Sequence, residues 1–200
     1  MSVRTWFPYS LVGFRLLLAP LFIVGFLSGA PAWLYVALLL AGIGSDIFDG
    51  VLARRWGTST PSLRRFDSNV DTVFYGLAGV TVVLLHAAYL TPWRGGLVAM
   101  FLFMIAQNVV NGIRYRRQPA YHMWSGKLWS IVLVIALIGL FLNRPCVWAI
   151  DGLIALGIYN AIEGMVASLV LAKPMTDIPT MFHAIRIASA KKTASPSSLQ

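Results

Sequence analysis

The sequence predicts an all-α membrane protein, a polytopic bundle of six transmembrane helices with both termini cytoplasmic. Three observations predict it. Of the 200 residues, 58% are hydrophobic and 12% charged, whereas a soluble domain carries about 25% charged residues to face water. The apolar residues fall in long runs punctuated by Pro and Gly, not in alternating patterns, which points to membrane helices. Lys and Arg gather at alternate ends of those runs, as they do when held on the cytoplasmic side. The net charge of +9 is therefore read as positive-inside bias, and no nucleic-acid partner is expected. The single cysteine, Cys146, excludes an internal disulfide and a Cys-based zinc site.

A bilayer crossing takes about 20 apolar residues. The stretches that qualify are Leu11–Leu27, Trp33–Arg54, Phe66–Leu90, Trp93–Tyr115, a shorter Leu128–Leu142, and Val147–Leu171. With the N-terminus inside, Arg4, Arg15, Arg54, Arg55, Arg64, Arg65, Arg114, Arg116, Arg117, Lys127, Lys173, Arg186, Lys191 and Lys192 are cytoplasmic. Only Arg94 and Arg144 fall outside. Trp33, Trp93 and Trp148 mark the outer interface, and Trp6, Trp56, Trp124 and Trp129 the inner one. A competing reading makes the first stretch a signal peptide cleaved near Ser28-Gly29-Ala30, but Arg15 interrupts its apolar region. Residues 1–172 thus form one membrane domain and 173–200 a cytoplasmic tail. Within the tail, Thr180–Ala190 is expected as a basic amphipathic helix on the inner leaflet, followed by a disordered Lys191–Gln200.

The chain has seven acidic residues: Asp46, Asp49, Asp67, Asp71, Asp151, Glu163 and Asp177. The first four crowd the facing ends of the second and third apolar helices. A charge within a membrane helix costs at least about 2.5 kcal/mol on insertion scales, so such residues are functional by default. Asp46 and Asp49 are three apart, Asp67 and Asp71 four apart, so each pair shares one helix face. A loop over Arg55–Arg65 makes the two helices antiparallel neighbours. Asp46 lies roughly 13 Å below the helix end at 1.5 Å per residue, in a cavity open to the cytoplasm, and neither helix carries Lys or Arg at that depth. Four carboxylates this close require cations to stay ionised. Oxygen ligands without His or Cys select Mg²⁺, Mn²⁺ or Ca²⁺. Helix capping is the plainer alternative, and it suits Asp67 alone. The scattered His86, His122 and His183 have no metal-ligand spacing.

Written out, the segment is Asp46-Ile-Phe-Asp49-Gly50-Val-Leu-Ala53-Arg54, eight residues, Leu63, three residues, Asp67-Ser-Asn-Val-Asp71. It resembles the signature of the CDP-alcohol phosphatidyltransferase family, departing only at Leu63, where the family has Gly. Thr60 fits a threonine often seen three residues before that Gly. Pro8-Tyr-Ser-Leu11-Val-Gly-Phe-Arg15 is similar to the family's Pro-Asn-x-Leu-Thr-x-x-Arg opening, with Tyr9 and Val12 departing. The resemblance covers about residues 8–172. It implies Asp46, Asp49 and Asp67 as metal ligands, and Asp71 as a ligand or as the general base. It also implies a two-metal Mg²⁺ or Mn²⁺ site that clamps the donor pyrophosphate, and a homodimer. Gly50 and Ala53 would let a nucleotide approach the helix backbone, or else serve close helix packing. Arg54 would reach a phosphate or snorkel inward, and Thr60 completes the donor set.

The implied reaction moves a phosphatidyl group from CDP-diacylglycerol to a small alcohol, at an inner membrane with the site facing the cytoplasm. Part of a phosphatidylglycerophosphate-synthase pattern survives in Gly112-Ile-Arg114 and Gly126-Lys127-Leu-Trp129-Ser130, while an Arg-Glu pair is replaced by Ala106-Gln107. Glycerol 3-phosphate is therefore the leading acceptor, with Arg114 and Lys127 holding its phosphate. Serine, inositol phosphate, or a CDP-alcohol donor with a lipid acceptor are alternatives. From other classes, a divalent-cation transporter or a non-enzymatic relative would also use carboxylates in a membrane cavity.

Overall fold

A computed structural model describes residues 3–58, 60–115, 121, 123–173, 175 and 178–193. Among the described residues every regular element is helical: α1 (Val3–Ser28), α2 (Ala32–Arg55), α3 (Pro61–Leu90), a 3-10 turn (Thr91–Trp93), α4 (Arg94–Tyr115), α5 (Trp124–Phe141), α6 (Val147–Val170) and α7 (Met181–Thr193). Five stretches are long and apolar enough to cross a membrane, and one of them, Phe66–Tyr115, runs for 50 residues through the 3-10 turn. At 1.5 Å per residue that stretch would be roughly 75 Å long, against a hydrocarbon core of about 30 Å. Five to six helices therefore qualify. The arginines Arg116 and Arg117, and the acidic Asp177, lie outside the described residues.

The chain divides into two compact units, Met1–Leu90 with Leu137–Pro145, and Thr91–Ala136 with Cys146–Gln200. In the first, α1 packs against both α2 and α3. Its buried face is Pro8, Val12, Arg15, Ala19 and Phe22, a spacing of three and four that keeps one stripe of a helix together. The stripe of α2 is Tyr35, Leu38, Leu39, Gly42, Ser45, Asp49 and Ala53. Gly42 is required there, because a Cβ would overlap the Phe74 ring. Phe22 meets Phe74 edge-on at 5.3 Å and stacks on Phe141 at 5.7 Å, while Tyr35 stacks on Phe141 at 5.0 Å.

The connection from α2 to α3 is tighter than the expected Arg55–Arg65 loop. Helix α2 closes in a Schellman motif, with Thr58 N–H donating to Ala53 O at 3.0 Å and Gly57 at φ +65°. Helix α3 restarts at once: the Thr60 hydroxyl accepts the Leu63 N–H at 3.2 Å, and Pro61 takes the first helical position. Arg64 and Arg65 thus belong to the first turns of α3, and Asp67 stands inside the helix, not at its cap. Leu63 turns inward, packing with Val12, Ala53, Val70 and Tyr9.

In the second unit α6 packs on α4 and α7. Its inner face is small, with Gly157, Ala161, Gly164, Ala167 and Ser168 all buried, the composition that lets membrane helices approach closely. Helix α5 starts at Trp124, four residues before the expected span, so Lys127 lies in its first turn. The C-terminal helix is present and continues through Lys191 and Lys192 to Thr193, where a disordered tail was expected; 194–200 lie outside the described residues. Ala184 and Ile178 dock it on Ala167 and Leu171.

Candidate active site

The four aspartates sit where the buried stripes of α2 and α3 meet α1. Asp49 continues the stripe of α2 and is the most enclosed, its side chain 7% exposed, against 43%, 30% and 32% for Asp46, Asp67 and Asp71. One oxygen each from Asp46, Asp49 and Asp67 lies within 4.8 Å of the others. Opposed oxygens across a Mg²⁺ ion are about 4.2 Å apart, twice a 2.1 Å bond. The three therefore stand close enough for a hard divalent ion to draw them onto itself, and all three donors are carboxylates, the set such ions prefer. Asp71 stands outside this trio.

At the centre is a cation from a third helix. Arg15, fully buried, donates from Nη2 to Asp49 Oδ2 at 2.7 Å and from Nη1 to Asp67 Oδ1 at 3.0 Å. Nη1 also pairs with Asp71 Oδ1, and Nη2 stands 3.3 Å from Asp46 Oδ1. Nε donates to Ser45 Oγ at 3.3 Å, and that hydroxyl donates to Gly42 O. Sequence reasoning counted Arg15 among the cytoplasmic charges and looked for cations only on α2 and α3. The signal that would have found it is its register, since it occupies the same apolar stripe as Val12, Ala19 and Phe22.

The expected donor residues divide. The Arg54 guanidinium folds back over Gly50, about where a Cβ would make ordinary contact at 3.5 Å. Ala53 is buried in the α1–α2–α3 seam, which favours the close-packing alternative for it. Thr60 is engaged as the α3 cap and hydrogen-bonds Tyr9 Oη (3.3 Å) and Ser62 Oγ (3.0 Å). Tyr9, a departure from the family opening, thereby ties α1 to the α2–α3 turn, and its ring stacks on Phe66. Leu63 is a core residue of the seam rather than a bulky substituent in an open pocket.

In the second unit Arg114 caps the end of α6: its Nε and Nη2 donate to Leu171 O at 3.3 and 3.1 Å. Tyr115 Oη donates to the same carbonyl at 2.9 Å. Lys127 instead lines a pocket of about 330 Å³ with Gln107, Tyr121, Ser130 and Asn160, and its ammonium lies 4.5 Å from the Trp124 ring centre. Below the pocket, Tyr121 Oη and Ser168 Oγ are 2.7 Å apart, and Ser168 donates to Asn111 Oδ1 at 2.5 Å. Burial pushes the Tyr121 hydroxyl up to about 12, so it remains a proton donor at neutral pH. Glu163, unassigned from the sequence, is 2% exposed. It accepts from Ser125 Oγ at 2.5 Å and from Met181 N–H at 3.0 Å, which places a carboxylate on the N-terminus of α7.

Comparison with known proteins identifies the family. Residues 5–172 match the family model of the CDP-alcohol phosphatidyltransferases. Over 145 residues the chain is 31% identical to the CDP-diacylglycerol–glycerol-3-phosphate 3-phosphatidyltransferases of Salmonella paratyphi A and Salmonella typhimurium, covering 70% of this chain and 79% of theirs. The enzyme of that name from Escherichia coli K12 is 29% identical over 144 residues, with the same coverage. No solved structure matches. A family match that runs over residues 5–172, most of the chain, means that this chain belongs to the CDP-alcohol phosphatidyltransferase family.

Proposed function

We propose that this protein transfers the phosphatidyl group of CDP-diacylglycerol to glycerol 3-phosphate and releases CMP. The observation that carries the reading is the convergence of Asp46, Asp49, Asp67 and Asp71 from two helices. The names of the relatives supply the acceptor. Asp46, Asp49 and Asp67 would hold Mg²⁺ or Mn²⁺, which when bound would neutralise the donor pyrophosphate and stabilise the leaving CMP.

The chain's own residues do the rest. Asp71, outside the ligand trio, takes the proton from the acceptor hydroxyl. The hydroxyl oxygen then bonds the phosphatidyl phosphorus as the bond from that phosphorus to CMP breaks. Gly50 keeps the α2 surface low for the nucleotide, and Arg54, lying across it, is within reach of a phosphate. Lys127 carries the acceptor phosphate in its polar pocket. Arg114, committed to the Leu171 carbonyl, supports the neighbouring backbone and contributes charge.

Division of the 50-residue apolar stretch at Thr91–Trp93 makes six crossings, with both termini and the site on the cytoplasmic side of the inner membrane. Helix α7 would lie along that surface and present its exposed Phe182 and Ile185 to lipid. The working form is a homodimer.

The test is CMP release from labelled CDP-diacylglycerol with a panel of unlabelled alcohols, with Mn²⁺ or Mg²⁺ and with EDTA. Glycerol 3-phosphate should support turnover, EDTA should stop it, and Asn at Asp46, Asp49, Asp67 or Asp71 should abolish it while the protein stays in the membrane. Asp71→Asn should still retain donor binding. Metal-independent turnover, or full activity in the Asn variants, would overturn the site. Turnover with an uncharged alcohol alone would overturn the acceptor.

A further inference from the structure

The family reading gives the aspartates to metal, yet in this structure they already have a cation. Arg15 is fully buried and takes one oxygen from each of the four carboxylates, and its third nitrogen is fixed by Ser45. We propose that Arg15 is the resident counter-ion of the site: it assembles the carboxylates before metal arrives, and its competition for them sets how tightly metal binds. This rests on the metal-binding reading of the aspartates.

Two features of the geometry argue for competition rather than for a passive anchor. The carboxylates that Arg15 grips include all three of the candidate ligand trio, so an ion seated on Asp46, Asp49 and Asp67 shares its ligands with a guanidinium. Like charges at that spacing repel strongly beside the buried Arg15 and Asp49. The site is also asymmetric. Arg15 and Asp49 form an enclosed floor, whereas Asp46, Asp67 and Asp71 keep about a third or more of their side chains exposed. Metal therefore approaches from the open side and meets Arg15 from the front. Protein in which Arg15 holds all four carboxylates is not the form that binds metal best. Apparent affinity falls by the fraction of molecules in which the grip has loosened.

Removing the guanidinium should thus have two opposite effects. Metal-free protein loses the charge that holds three helices to one point, while metal-bound protein loses a repulsive neighbour. Couplings between linked sites are typically about 5- to 150-fold, and that is the tightening expected for Mn²⁺ in Arg15→Gln. Arg15→Lys, which keeps the charge but cannot reach four carboxylates at once, should tighten binding by less.

The experiment uses the full chain in lipid nanodiscs and Mn²⁺ alone. Free Mn²⁺ is titrated by its paramagnetic resonance signal, and thermal unfolding is followed with EDTA and with saturating Mn²⁺. The expected result is tighter Mn²⁺ binding in both variants, a lower melting temperature in EDTA, and a larger rise on adding Mn²⁺ than in the parent. Should Arg15→Gln fold only when Mn²⁺ is present, that too is the expected direction, and Arg15→Lys then supplies the affinity. Equal or weaker Mn²⁺ binding in the variants, with the parent binding normally, overturns the counter-ion role and leaves the metal site standing. Failure of parent and variants alike to bind Mn²⁺ removes the metal site and this inference with it.

Discussion

Leu63 separates what the motif suggests from what the packing shows. Where relatives carry Gly, a Leu reads as bulk beside the nucleotide, so Leu63→Gly should lower the KM for the CDP donor. The structure points the other way, because Leu63 is 6% exposed and wedged among Val12, Ala53 and Val70 at the junction of α1, α2 and α3. Truncating a buried Leu to Ala costs about 2–5 kcal/mol, and Gly in a helix adds up to about 1 kcal/mol. The added term is small here, since Leu63 lies in the first turn of α3. A loss of about 3 kcal/mol is a reasonable centre. At roughly 2–4 °C per kcal/mol for a domain of 150–250 residues, Leu63→Gly should melt about 6–12 °C lower in bilayer discs, with donor KM unchanged or raised. Leu63→Met, close in volume, should stay within about 1.5 kcal/mol of the parent. An undiminished melting temperature with a lower donor KM would refute the packing argument and return Leu63 to the pocket.

Three further variants probe the second unit. Lys127→Ala should raise the acceptor KM about ten- to a hundredfold, the worth of one charge-assisted hydrogen bond, and leave the donor KM nearly unchanged. Arg114→Ala should instead lower stability, by leaving the Leu171 carbonyl to Tyr115 Oη alone, and move both KM values little; equal kinetic effects of the two would contradict the division of roles. Glu163→Gln should weaken the hold on the Met181 N–H by about 1 kcal/mol. Amide exchange across Met181–Thr193 should then quicken by about fivefold with no change in the α4–α6 packing; unaltered exchange would show that the apolar contacts of Ala184 and Ile178 suffice.

The aspartate cluster was legible because its chemistry conflicts with its surroundings: carboxylates at helical spacing in apolar runs carry a desolvation cost that a bound cation offsets. The apolar helices were legible in run length and composition. Less could be read where one residue type serves two ends. Thr60 satisfies a family position and a helix cap equally well, and only the Leu63 N–H contact shows the cap in use. Arg114 looks like any cytoplasmic arginine until the Leu171 carbonyl that closes α6, fifty-seven residues later, is brought to it. Glu163 lies in an apolar run with no acidic neighbour, and its partners, Ser125 and Met181, come from two other helices. Helix α3 starts earlier than expected because Pro61-Ser62-Leu63 interrupts the apolar run in composition, whereas a Thr-Pro pair is a strong helix opening.

Arg15 shows why pairwise reading of helices fell short. Taken alone, each of α1, α2 and α3 carries charge that a bilayer resists, at about 2.5–3.5 kcal/mol per residue at the helix centre. α2 and α3 cannot relieve one another, since both bring carboxylates. Within the chain, a third helix of opposite charge can, and its arginine must sit at the depth of the aspartates and on the face turned toward them. Arg15 meets both conditions, with Ser45 below it and Asp49 at 2.7 Å. Helix α1 brings more than Arg15: it covers Ala53, Leu63 and Val70 through Val12, and its Tyr9 hydroxyl hydrogen-bonds Thr60 and Ser62 at the α2–α3 turn. Packing that costs this much to undo marks α1 as a wall of the site.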